Sequence, residues 1–311
     1  MGIVVFGAVF VDVKGYPLSQ YIPGGRNVGR VVQVHGGVSR NIAEDIANVE
    51  LRPTFVSVVD DTGMGEDVIR KLANHKVETK YISKTPDGLG TWLAIFGNDG
   101  DVIASISKRP DLSAISDMLD RHGDEIIRNC DSVVVEIDME PDILRKIFNL
   151  AKTYDKEIYA AVSNMSIAVE RRDLLKDVGC FVCNRQEAGM LFMEDYTYET
   201  AFGMEQILKE RVAQAQIRRM VVTLGGDGAV WADIDGNSGY SEARKVDVVD
   251  TTGAGDCFFS GVAIGLTYGK DLAGACEIGA RLAGAVIATR ENVCPRFLPS
   301  EFGISTERFD I

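Results

Sequence analysis

From about residue 39 onward the chain alternates between two hydrophobic periods, and this restricts the fold more than any other feature. "NIAEDIANVE" and "EDVIRKLANH" repeat their apolar residues at helical spacing. "TFVSVVD", "DSVVVEID", "EIYAAVS" and "RMVVTLGG" are short, β-rich apolar runs. Strand and helix taking turns predict βα units around a mostly parallel sheet. Runs that are apolar throughout, rather than at every second residue, predict a sheet covered on both faces. The expected fold class is therefore a three-layer α/β/α sandwich.

Two stretches break the alternation. Residues 13–35 hold glycine and proline but no helical pattern, and residues 86–108 contain two alternating strands around "NDGD", a hairpin signal. They predict a small β-sheet lid, built from two insertions into a single α/β domain spanning 1–311. Ligands of open α/β sheets lie at the carboxyl ends of the strands, where a lid would exclude water. The lid's edge strands need cover, and a homodimer through the lid would supply it.

The opening "MGIVVFGAVFVDVKG" has no basic leader and reads as one buried strand rather than a signal peptide. The most apolar stretch, 257–289, is interrupted by Lys270, Asp271, Glu277 and Arg281, so no membrane partner is expected. A net charge of −13 argues against nucleic acid as a partner. The six cysteines lie mostly in apolar segments, and "CFVC" reads as strand with a buried, reduced pair, which fits a cytoplasmic location.

Chemistry concentrates near the C-terminal end, in "DTTGAGD", residues 250–256. The strand "ARKVDVV" is expected to lead in and a helix to lead out. Gly253, Ala254 and Gly255 leave backbone N–H groups uncovered at a helix N-terminus, an anion site. Asp256 follows at its mouth, and the positive helix end is expected to keep it ionised near neutral pH. In "VHGGVSRNIAEDIA", Gly36 and Gly37 permit close approach to the backbone, Ser39 is a candidate cap, and Asn41 falls in the first helical turn. "CNRQE" sets Asn184 and Glu187 on one helix face, within reach of a metal-bound phosphate. "VVTLGGDGAVW" ends a strand in a glycine turn that is either a plain hairpin or a seat for a base or ribose. No phosphate loop ending in Gly-Lys-Ser/Thr, no dinucleotide glycine fingerprint after the first strand and no zinc spacing is present. His35, His75 and His122 are too few and too scattered for a histidine site.

Taken together, "GGVSRN", "NRQE", "VTLGGDGAVW" and "DTTGAGDCFFSG", in that order, resemble the PfkB, or ribokinase-like, family of sugar and nucleoside kinases. The resemblance implies transfer of the γ-phosphate of ATP, with Mg2+, to a substrate hydroxyl. It implies Asp256 as catalytic base and Gly253, Ala254 and Gly255 as the anion hole. Asn184 and Glu187 would organise magnesium and phosphate, and Thr223, Gly225, Gly226 and Gly228 the nucleotide. Asp12, Gly36, Gly37, Asn41 and Asp138 would surround a small-molecule sugar or nucleoside. Asp250 and Thr252 resemble a monovalent-cation site that would take K+, although Asn292 and Arg296 stand where relatives carry smaller residues. Ala160 and Ala161 depart from the Asp-Pro common in the family. "VDVKGYP", the "GNDGDVIASIS" hairpin and "DLSAIS" are most similar to the pseudouridine kinase branch. A kinase for ribose, fructose or 2-keto-3-deoxygluconate, and a kinase-like sensor without turnover, stay open beside it.

Overall fold

The structure, a computed structural model, describes residues 2–98 and 102–305. The chain starts with β1 (Val4–Phe6), β2 (Phe10–Pro17) and β3 (Gly29–Gly36) and enters helix α1 (Val38–Asn48). Then come β4 (Thr54–Val59), α2 (Gly63–Asn74), β5 (Ile82–Lys84), β6 (Gly90–Phe96), β7 (Val102–Lys108) and α3 (Ser113–Arg128). The middle continues through β8 (Val133–Glu136), α4 (Pro141–Thr153), β9 (Ile158–Ala161) and the one-turn α5 (Met165–Ala168). Next are β10 (Cys180–Asn184), α6 (Arg185–Phe192), α7 (Ala201–Ala215), β11 (Arg219–Thr223), β12 (Ala229–Asp233) and β13 (Ser238–Ser241). Helices α8 (Ala254–Thr267) and α9 (Leu272–Ile287) close the order.

Among the described residues nine strands form the main sheet, in the order β13-β12-β11-β10-β9-β8-β1-β4-β5. From β11 to β5 neighbouring strands run parallel, and β12 and β13 add an antiparallel edge. Successive residues of the central strands feed two separate cores. Phe6, Val135, Phe181 and Val222 pack with α3, α4, α6 and α7. Val5, Val134, Val182 and Val221 pack with α1, α2, α8 and α9. This is the three-layer α/β/α arrangement that continuous apolar strands require. Cys180 and Cys183 enter opposite cores, so the CxxC spacing does not make a site. All six cysteines are buried and free. No helix among the described residues is long and apolar enough to cross a membrane.

The second sheet has four strands in the order β3-β2-β6-β7. Both expected insertions contribute to it, but it begins at Phe10 rather than 13. The opening run is therefore not one strand. It is cut at Gly7–Val9, giving β1 to the main sheet and β2 to the small one. A Cβ at Gly7 would lie 2.0 Å from Ser39 Oγ of α1, so the chain passes this helix in close contact before leaving the sheet. A continuous apolar run carries no mark of such a change. The "ARKVDVV" segment is also not a strand: residues 242–250 form no ladder. Val246, Val248 and Val249 remain exposed there, with Val246 and Val248 along a cavity. The "NDGD" turn lies mostly outside the described residues, but the β6–β7 antiparallel pair on either side of it is present.

Candidate active site

The strands of the parallel sheet point their carboxyl ends to one edge, and the expected site residues gather there. Asn184 ends β10 and Thr223 ends β11. Asp138 lies two residues beyond β8. The main sheet thus positions groups contributed by loops and helix starts, as open α/β sheets do.

Gly253 caps α8 in the left-handed region, with φ +81°. A Cβ there would stand 2.1 Å from the carbonyl oxygen of Asn292. Gly255 differs: a Cβ there would meet nothing within 4 Å. The Ala254 N–H already bonds to the Thr251 carbonyl at 3.2 Å. That bond takes the Ala254 N–H out of the free helix-start donors, and the first-turn N–H groups of Gly255 and Asp256 lie beside it.

Asp256 opens the same helix. Its Oδ2 accepts a 2.6 Å hydrogen bond from Asn41 Nδ2, across 215 residues of sequence. Burial pushes the Asp256 carboxyl up to about 6, against the lowering effects of the Asn41 bond and of Arg40. Asp12 and Glu187 push it further upward. A carboxyl titrating near 6 is mostly ionised at neutral pH. This is the range in which a carboxylate serves well as a general base.

Asp12 of β2 reaches the same edge. Its carboxylate oxygens lie 2.7 Å from where a Cβ of Gly36 would be, so Gly36 is glycine to leave room for Asp12. Burial raises Asp12 as well, over the opposing pull of Lys14 and Arg40. Gly37 is the N-cap of α1 at φ +98°, and Ser39 is not the cap. Ser39 lies inside the helix, and its N–H donates to Glu136 Oε1 at 2.9 Å while its hydroxyl bonds to the Phe6 carbonyl. The Glu136 carboxyl of β8, buried and pushed up to about 8 by burial, accepts at the helix start instead.

Asn184 and Glu187 form a capping box on α6: Glu187 N–H donates to Asn184 Oδ1 at 2.9 Å, and Asn184 N–H to Glu187 Oε2 at 2.7 Å. The box uses one oxygen of each side chain and leaves the second Glu187 oxygen and the Asn184 amide nitrogen outside it. Thr223, Gly225, Gly226 and Gly228 line a cavity of about 880 Å³ that also takes in Ala254 and Gly255. The glycine turn is therefore both a β11–β12 hairpin and a cavity wall. Gly225, at φ +63°, and Gly226 face open space, whereas a Cβ at Gly228 would lie 2.2 Å from the Ser241 carbonyl.

Two expected ligand groups have hydrogen-bond partners within the chain. The Asp138 carboxylate accepts from Ser163 N–H at 3.0 Å, Ser163 Oγ at 2.8 Å and Arg109 Nη1 at 3.1 Å. It presents Arg109 rather than its own free oxygens. Asp250 Oδ1 accepts from Thr252 N–H at 2.8 Å, closing a short turn.

Three groups were given no role in the site by the sequence. Asp45 is buried on α1 and pushed up to about 7 by burial. It accepts from Cys294 N–H at 2.7 Å, from Ser260 Oγ at 3.2 Å and from Cys257 Sγ at 3.3 Å, tying α1 and α8 to the 289–296 segment. Glu136 and Asn292 are the others. An acid inside the apolar run "VVVEID" was a visible signal for Glu136. Asn292 offered none beyond its departure from smaller residues.

Comparison with known proteins agrees with this geometry. Residues 2–294 match the pfkB family carbohydrate kinase model. Guanosine-inosine kinase of Exiguobacterium acetylicum is 32% identical over 293 residues, covering 93% of this chain and 95% of that one. Pseudouridine kinase of Escherichia coli is 27% identical, covering 84% and 82%. The ribokinase of Arabidopsis thaliana, solved with ribose and ATP, superposes with a TM-score of 0.83 at 20% identity, covering 94% of this chain and 95% of that one. The ribokinase of Giardia lamblia gives 0.82 at 18%, covering 94% and 97%. Family and fold coincide over nearly all of the sequence, and the chain belongs to the pfkB family of carbohydrate kinases, enzymes that phosphorylate a hydroxyl group.

Proposed function

We propose that the protein is an ATP-dependent nucleoside kinase, with a purine riboside of the guanosine or inosine kind as its first candidate substrate. The observation that carries the nucleoside reading is the lid face bearing Asp12. Asp12 pairs in register with Trp92, and Tyr16 stands four residues further along the same strand, on the same face. Tyr16 stacks on Phe96 with ring centroids 4.9 Å apart, and Trp92 meets Phe96 edge-on at 6.2 Å. A face with one carboxylate for ribose hydroxyls and three aromatic rings beside it suits a flat base, which a free sugar lacks. The likeness to guanosine-inosine kinase supports the same reading. Pseudouridine is the second candidate, supported by the likeness to pseudouridine kinase.

In this reading the nucleotide occupies the 880 Å³ cavity beside Thr223, Gly225, Gly226 and Gly228. The Gly255 and Asp256 N–H groups face the transferred phosphoryl group, and losing one such donor typically costs about 10²–10³-fold in rate. Asp256 takes the proton of the acceptor hydroxyl, a contribution on the order of 10²–10⁴-fold. Asp12 and Asn41 hold the substrate, and Asp138 acts through Arg109. Mg2+ fits Glu187, whose second oxygen stays outside the capping box, while the Asn184 amide nitrogen is a donor suited to a phosphate oxygen. Bound there, the ion would neutralise phosphate charge. The lid's opposite face carries Leu93, Ile106 and Val31, which are 43%, 70% and 68% exposed, and a second copy of the chain is proposed to cover it.

The test is an ATP-consumption screen of the purified protein with guanosine, inosine, pseudouridine, uridine, ribose, fructose and 2-keto-3-deoxygluconate. Highest kcat/KM on guanosine or inosine is expected. A preference for a free sugar refutes the nucleoside reading, and tight binding of a nucleoside without turnover would make the protein a sensor.

A further inference from the structure

Asn292 touches three parts of the site at once. Its Nδ2 donates to the His35 carbonyl, at the end of lid strand β3, at 2.9 Å. The same nitrogen donates to Asn41 Oδ1 at 3.3 Å. Its own carbonyl oxygen packs on Gly253, where a Cβ would stand 2.1 Å away. Its position is anchored two residues on, where Cys294 N–H donates to buried Asp45 at 2.7 Å.

An asparagine amide has an acceptor on one side and donors on the other. With Asn292 donating to Asn41 Oδ1, the Asn41 Nδ2 must face the other way, toward Asp256, to which it donates at 2.6 Å. If the Asn41 amide were turned over, its oxygen would face the Asp256 carboxylate and its nitrogen the Asn292 donor. Both contacts would then be repulsive. We infer that Asn292 is a positioning residue, which sets the orientation of the Asn41 amide and through it the pose of the Asp256 carboxylate. The inference rests on the reading of Asp256 as the base.

The relay also joins the lid to the base. Asn292 and Arg40 both donate to the His35 carbonyl, so the root of β3 is tied to two groups that act on Asp256.

A double-mutant cycle tests the relay. Asn292→Ala is expected to lower kcat by about tenfold, with the KM for nucleotide unchanged. Asn41→Ala is expected to lower it at least as much. In the Asn41→Ala background, Asn292→Ala should change kcat by less than about twofold, because residues in one chain of hydrogen bonds are not additive. The pH profile gives a second readout. Removing the Asn41 donor, directly or through Asn292, takes away a bond to the charged form, so the acid limb should move to higher pH in both single variants. The other charged or titratable groups facing Asp256 are Asp12 of β2, Arg40 and Asp45 of α1 and Glu187 of α6, and they are the same in every variant. Asn292→Leu, which keeps roughly the shape and removes the donors without adding a charge, replaces the alanine variant if that one misfolds, with the same non-additivity expected in kcat. Losses that multiply in the double variant, or an unchanged acid limb with lowered kcat in Asn292→Ala, overturn the relay. Asp256→Asn separates the two ideas. Wild-type turnover in that variant sinks the base reading itself, whereas an inactive Asp256→Asn with multiplying losses sinks only the relay.

Discussion

Gly253 and Gly255 belong to one turn and are glycines for different reasons. At Gly253 the backbone is left-handed and the Asn292 carbonyl occupies the place of a side chain. At Gly255 the protein leaves open space that borders the 880 Å³ cavity. Gly253→Ala should therefore destabilise the fold by about 1–3 kcal/mol, the usual cost of forcing a non-glycine residue into such a conformation. Gly255→Ala should leave the denaturant midpoint close to wild type and still lower kcat, because its methyl would intrude where phosphate is proposed to sit. Urea melts beside steady-state assays check the pair. A Gly255→Ala variant with full activity would remove the steric part of the phosphate assignment. The same distinction applies to Asn184 and Glu187, whose capping box explains their spacing without any ligand. A carboxylate serving a cap and one serving a metal look alike in sequence, because both follow a strand and open a helix.

Helices α8 and α9 show what small residues do at the next scale. A Cβ on Gly261 would lie 2.5 Å from Gly279 Cα, and one on Gly265 would lie 2.6 Å from Ala275 Cα. The two helices meet backbone to backbone, which holds α8, and with it the Gly255–Asp256 helix start, against the sheet. Gly261→Val should destabilise by about 1–3 kcal/mol or more, because the atoms it would displace are backbone and cannot change rotamer. A guanidinium chloride melt gives the number, and an unchanged midpoint would mean that the helices can separate without loss. At this scale the sequence was readable where a period repeats over a whole segment, as in α1, α2, β4, β8 and β11. It misled where a run is apolar for a reason other than strand pairing. Val246, Val248 and Val249 look like a strand and instead run past an open cavity. The opening apolar run looks like one strand and serves two sheets.

For the molecule as a whole, the exposed lid face predicts an assembly. Leu93 and Ile106 are a register pair on that face, and β3 and β7 are free edges of the four-stranded sheet. Sedimentation velocity should find a dimer, and Ile106→Lys combined with Val31→Lys should shift it to monomer. A wild-type protein that is monomeric at all accessible concentrations would refute the lid dimer. By itself the sequence determined the α/β/α class, the small second sheet built from two insertions and the glycine turn at the start of α8, because hydrophobic period and glycine placement are local properties. Only the tertiary structure decided that Asn41 would face Asp256 across 215 residues, that Asn292 would fix its amide, and that Asp138 would spend its carboxylate on Arg109 and Ser163. A side chain's hydrogen-bond partner depends on which elements the fold brings together. No pattern along the chain encodes that pairing.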